Sequence, residues 1–170
     1  MTYKTKHDIF RYIAYALEFL ILFVFENTPF LMPEILSARP ILLIPAAASI
    51  AMYESETASM IIGLICGLLI DFSGGGVLGF HALVLCVFGF IIARLCETYI
   101  QTNFITGMIV CSLATAVSLI LHFVFAYVSI GYSYIGYAFI SHYLPMIVYT
   151  LIFVPVLFIL NKKLAITINA

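Results

Sequence analysis

The residues of this chain able to do chemistry are few, and most stand alone in apolar sequence. Asp71 is the only charged residue between Glu56 and Arg94, and glycines follow it closely in LLIDFSGGGVLGFHAL, residues 68–83. Gly74, Gly76 and Gly79 match the spacing G-x-G-x-x-G, with Glu97 further on. A dinucleotide fingerprint needs a strand before it and a solvated helix after it, within a βαβ unit. The flanks here, MIIGLICGLLI and LVLCVFGFIIA, suit lipid instead. The stretch therefore reads as a breaker between two spans, because glycine adopts positive φ and weakens a helix. Asp71 has two roles open to it. It caps the next helix or satisfies turn amides, or it meets a cation on another chain, since an ionisable group at membrane depth is a functional candidate by default.

The other polar residues are as isolated. Glu18 falls near the middle of the first apolar run, where a carboxylate must face protein or water, or carry a proton. Arg11 lies seven residues earlier on a similar helical face but two turns away. No chain of acids or histidines makes Glu18 part of a relay, so a polar contact within the bundle or to a partner is expected. His81, His122 and His142 fall on three separate runs, without the clustered spacing a metal site uses. They read as single hydrogen-bonded histidines. Cys66, Cys86, Cys96 and Cys111 contain no CxxC pair and read as small hydrophobes. There is no nucleophile beside a base, no paired acidic motif, no P-loop and no HExxH. No catalytic centre, metal or cofactor is expected.

What positions these residues is a membrane. The chain has 170 residues, 65% hydrophobic and 9% charged, with mean hydropathy +1.20. A soluble domain is about 45–50% apolar and about 25% charged. A net charge of −1 argues against a nucleic-acid partner. Residues 1–170 read as a single multi-span domain, since no stretch is polar enough to fold apart in water. Lys4, Lys6 and Arg11 precede the first apolar run as in a signal peptide, but ENTPF follows with no small-x-small cleavage site. A retained first span is expected.

Helices crossing the hydrocarbon need about 20 mostly apolar residues. Six runs qualify or nearly qualify: 9–25, 40–53, 57–72, 77–95, 104–128 and 137–160. The second and third are short, suiting a tight hairpin or a partly re-entrant pair. With six spans, Lys4, Lys6, Arg11, Arg94, Lys162 and Lys163 share one side and only Arg39 lies opposite. The positive-inside rule makes both termini cytoplasmic and puts the Asp71–Gly79 turn near the outer face. Tyrosines near the span ends replace the absent Trp as interface anchors. Gly63 and Gly67 form G-x-x-x-G on the third span, and Gly75 and Gly79 repeat the spacing at the turn, allowing close helix approach within the chain or to another protein.

The stretch from Gly63 to Arg94 resembles the MreD family, which shows a GLxxDxxxGxxxGxxAL type of pattern between two membrane spans. The matching positions are Gly67, Leu68, Asp71, Gly75 or Gly76, Gly79, Ala82, Leu83 and Arg94. The third glycine and the pair Phe80-His81 depart mildly from the common form. The resemblance implies an all-α integral membrane protein of about six transmembrane helices, similar to the substrate-binding subunits of energy-coupling factor vitamin transporters. It implies a non-enzymatic scaffold of the bacterial elongation machinery in the cytoplasmic membrane. Its partners would be MreC and, indirectly, MreB, RodA and a class B penicillin-binding protein. Asp71, Gly75, Gly76, Gly79, Gly63, Gly67 and Glu18 are then the candidates for partner contact. The competing expectation is a vitamin-type binding subunit of a transporter, which requires a polar pocket among the spans.

Overall fold

A computed structural model describes residues 3–28, 39–74, 78–99, 102–128 and 135–169. All secondary structure among them is helical: α1 (Tyr3–Asn27), α2 (Leu43–Ala51), α3 (Glu56–Gly74), α4 (Phe80–Thr98), α5 (Phe104–Phe123), α6 (Ile135–Ala138) and α7 (Leu144–Asn169). A π-helical turn, Val124–Val128, extends α5, and a second, Phe139–Tyr143, joins α6 to α7. The expected six helical segments are therefore present. The turn residues Gly75 and Gly76 lie outside the described residues.

Among the described residues, four segments are long and apolar enough to cross a membrane: Glu56–Ser73, Phe80–Thr98, Phe104–Tyr127 and Phe139–Ala165. The first two expected spans are not among them, for different reasons. The apolar run of α1 is interrupted by Arg11, Glu18 and Glu26. The second run, expected over 40–53, forms only a nine-residue helix, about 13 Å long at 1.5 Å per residue, against about 30 Å of hydrocarbon.

That short helix is the centre of the fold. Every residue of α2 is buried, and it packs against α1, α3, α4, α5 and α7. The run Ala46-Ala47-Ala48-Ser49 lets neighbours approach closely, as small residues do between helices in lipid. Pro45 stands in the first turn, where no intrahelical donor is lost. Two buried layers run along α2: Leu43, Ile44 and Ile50 meet Tyr15, Phe19, Cys66 and Leu119, while Ala48 and Ala51 meet Cys111, Val154 and Phe158. All four cysteines are free thiols, two of them buried in these layers.

α1 shows the polarity of a membrane helix reversed from that of a soluble one. Arg11, Tyr15, Glu18 and Glu26 recur on one helical stripe, and the opposite stripe, Phe10, Ile13, Leu17, Leu20 and Val24, is exposed. The polar side packs inward because the outside offers no hydrogen bonds.

α3 and α4 form the most intimate pair. A Cβ added at Gly63 would strike the Leu85 carbonyl, one at Gly67 would strike the Ala82 backbone, and one at Gly89 would strike the Ser59 carbonyl. The G-x-x-x-G face of α3 is thus turned onto α4. Because the obstacles are backbone, they cannot rotate away. Gly67→Ala is expected to destabilise the folded protein by about 1–3 kcal/mol, the usual cost of overpacking, read as a lower thermal midpoint in detergent. Gly136→Ala, where an added Cβ meets open space, is the control that should leave the midpoint in place.

Candidate functional site

Asp71 lies one turn before the end of α3, and its side chain reaches across to the start of α4. One carboxylate oxygen, Oδ2, accepts from the backbone N–H of Gly79 at 2.9 Å and of Ala82 at 3.3 Å. The other, Oδ1, accepts from the backbone N–H of His81 at 3.2 Å and lies 2.8 Å from His81 Nδ1. A carboxylate has about four lone-pair positions, and here four contacts use them. Asp71 is 5% exposed, so the first amides of α4 are satisfied where water does not reach, and the negative charge sits at the positive end of the helix dipole. The capping role is therefore filled inside the chain. What the turn presents outward is apolar: Phe72 is 71% exposed, Leu78 66% and Leu83 67%.

Gly79 makes this reach possible. Its φ is +94°, a left-handed conformation that costs a side-chain-bearing residue roughly 1–2 kcal/mol.

The cap continues into a polar and aromatic cluster. The His81 ring lies 4.6 Å, centroid to centroid, from that of His122, and His122 Nδ1 is 2.9 Å from the Tyr143 hydroxyl. Phe80 stacks on Phe125 at 4.9 Å. Phe123, Tyr127, Phe139 and Tyr143 pack together where the two π-helical turns meet. Both histidines are hydrogen-bonded, as expected, but the fold brings together two rings that sequence spacing kept apart. His142 is exposed. Among the described residues, no group of three or more His, Cys, Asp or Glu side chains is arranged to hold a metal ion.

A second carboxylate cap was not foreseen. Glu26, near the end of α1, accepts from the backbone N–H of Leu43 at 2.8 Å, at the start of α2. Ile41 N–H donates to Thr150 Oγ1 of α7 at 3.2 Å. Ser73 donates to Asn27 Oδ1 at 2.8 Å, so the Glu26 and Asp71 caps lie at the same end of the bundle. At the opposite end Arg11 Nε meets Glu54 Oε1 at 2.8 Å, with side chains 16% and 3% exposed, and the Tyr15 hydroxyl donates to the same oxygen at 3.2 Å. Arg94 pairs with Glu56 at 2.6 Å, but its side chain is 62% exposed, and such pairs contribute little. Arg11 thus finds Glu54, not Glu18. The signal available in the sequence was the shared stripe of Arg11, Tyr15, Glu18 and Glu26, which marks one face of α1 as polar.

The remaining candidates are also placed. The Glu18 carboxylate oxygens are buried and face inward. Gly63 and Gly67 lie against α4. A groove of about 450 Å³ between α1 and α3 is lined by Tyr12, Tyr15, Phe19, Ile61, Ile62 and Ile65, with Ala16 and Ala58.

Helices that spend their polar groups on one another and turn apolar faces outward define a multi-pass helical membrane protein. The chain belongs to the MreD family: the family model described as rod shape-determining protein MreD matches residues 6–164. It is accordingly a rod-shape-determining membrane protein of a non-enzymatic family. No curated protein and no solved structure matches the chain.

Asp71→Ala strands three backbone donors, two of them buried, each hydrogen bond to a charged group being worth about 1.5–3 kcal/mol. It is expected to lower the thermal midpoint in detergent more than Gly79→Ala, whose cost is confined to the roughly 1–2 kcal/mol of φ strain. Equal shifts would show that the capping bonds add nothing beyond turn geometry.

Proposed function

We propose that the protein is a membrane scaffold of the bacterial elongation complex that docks the transmembrane helix of MreC. Through MreC it would act on MreB, RodA and the class B penicillin-binding protein. The observation that carries this reading is the family match over nearly the whole chain. The physical form agrees with it. Helix association in lipid depends on close packing and polar contacts rather than on a hydrophobic driving force, and the described helices offer outward faces that are almost wholly apolar. Asp71 and Gly79 shape a turn whose exposed side chains Phe72, Leu78 and Leu83 form the first surface to test. Asp71 and Gly79 contribute through the shape of that turn. A transporter-type binding role draws no support from the 450 Å³ groove, whose lining is apolar apart from two tyrosine hydroxyls.

The decisive experiment is co-purification with the MreC of the same genome, tagged on MreC and extracted in mild detergent. A stoichiometric complex is expected. A Phe72→Ala/Leu78→Ala variant that keeps its own thermal midpoint should lose partner at least tenfold. Undiminished recovery would remove this turn as the docking surface, and no complex with the unaltered protein would remove the docking reading itself.

We further propose that both termini are cytoplasmic in the bacterial inner membrane. Arg11 and Arg94 lie with Glu54 and Glu56 at one end of the bundle, opposite the Asp71 cap, and an excess of Lys and Arg marks cytoplasmic ends. An alkaline phosphatase fusion after Lys163 is expected to be inactive and a fluorescent protein fusion at the same point bright. The reverse pattern would invert the topology.

A further inference from the structure

Three helices meet at a polar spot that neither the caps nor the docking reading uses. Both carboxylate oxygens of Glu18 on α1 are buried without a hydrogen-bond partner, and so is Oδ1 of Asn161 on α7. Asn161 is 1% exposed, and its side chain is close enough to interact with Glu18. Its Nδ2 donates one of its two N–H groups to Ser49 Oγ on α2 at 2.6 Å, and the other makes no hydrogen bond to Glu18. Ser49 in turn donates to the Ala46 carbonyl at 2.8 Å. The spot thus holds three buried acceptors that no hydrogen bond reaches.

The other surrounding groups do not reach the Glu18 oxygens either. On α1, the Tyr15 hydroxyl donates to Glu54, and Arg11 is paired with the same carboxylate. From α3, Cys66 Sγ points to the Leu43 carbonyl at 3.2 Å. Glu26 is spent on the start of α2. Lys162 and Lys163 follow Asn161 on α7, and neither hydrogen-bonds to Glu18. A buried carboxylate with no donor and no counter-charge is among the most costly groups a fold can contain. A single added proton removes the charge and turns one orphan acceptor into a donor.

We infer that Glu18 is a proton-binding site: its carboxyl group is held in the protonated form and donates to Asn161 Oδ1, tying α1 to α7 beside Ser49 of α2. The O–H comes from a solvent proton, no other bond changes, and the amide keeps its bond to Ser49. Three oxygens are too few for a hard cation, which takes about six or more. Burial of the carboxylate oxygens by the chain itself also closes them to a partner's basic side chain.

The test uses the purified full-length protein in detergent at neutral pH. Infrared spectra of the unaltered protein should contain a protonated-carboxyl C=O stretch that shifts in heavy water and is missing from Glu18→Gln. Glu18→Gln, which mimics the neutral acid in shape, should melt close to the unaltered protein, whereas Glu18→Ala should melt clearly lower. If Glu18→Gln does not fold, Asn161→Leu takes its place: the carboxyl stretch should move to higher frequency as its acceptor is lost. No protonated-carboxyl band, a band that persists unchanged in Glu18→Gln or does not move in Asn161→Leu, or a sodium-dependent rise in melting that Glu18→Gln abolishes would each overturn the assignment. The last would replace the proton by a bound cation.

Discussion

The structure depends on how buried helix ends are satisfied. In hydrocarbon an unpaired backbone N–H costs several kcal/mol and no water is present to relieve it. Most membrane helices avoid this by running through to the headgroups. α2 is too short to do so and is covered along its whole length, so its first amides must be met from within. Glu26 of α1 meets the first of them, and Thr150 of α7 holds the amide of Ile41 just before the helix. The start of α4 has the same need and is met by Asp71. In both cases a carboxylate near the end of one helix caps the start of the next, where its charge is also favoured by the helix dipole.

This requirement organises the rest. A short helix can sit at the centre only if five others surround it, and they approach it through alanines and Ser49. The polar stripe of α1 is an outcome of the same demand, because Glu26 serves the start of α2 and Arg11 the loop that follows it. The α3–α4 hairpin is held by glycine on both sides and closed by Asp71. With polarity consumed inside, the outward faces are left to dispersion and shape. That is the surface a membrane-embedded partner helix reads, and it suits a family whose members set cell shape without catalysis.

The helical membrane class and the approximate position of every segment were legible in the sequence, because lipid imposes a strong, local rule: long apolar runs become helices, and glycine with aspartate interrupts them. The capping role of Asp71 was legible as one of two options, since a carboxylate just before a helix start is a local signal. Hydropathy alone did not reveal that the second run would be a short internal helix, because burial by protein and burial by lipid favour the same apolar residues. Nor could it show that Glu26 caps α2, that Arg11 pairs with Glu54 rather than stacking toward Glu18, or that His81 and His122 share one cluster. Each of these joins residues from different helices, and one-dimensional spacing carries no information on which helices are neighbours. By itself the sequence determined which segments are helical and which of their faces are polar. The tertiary structure decided which polar group answers which, because every donor buried in lipid must find its acceptor wherever the packing brings one.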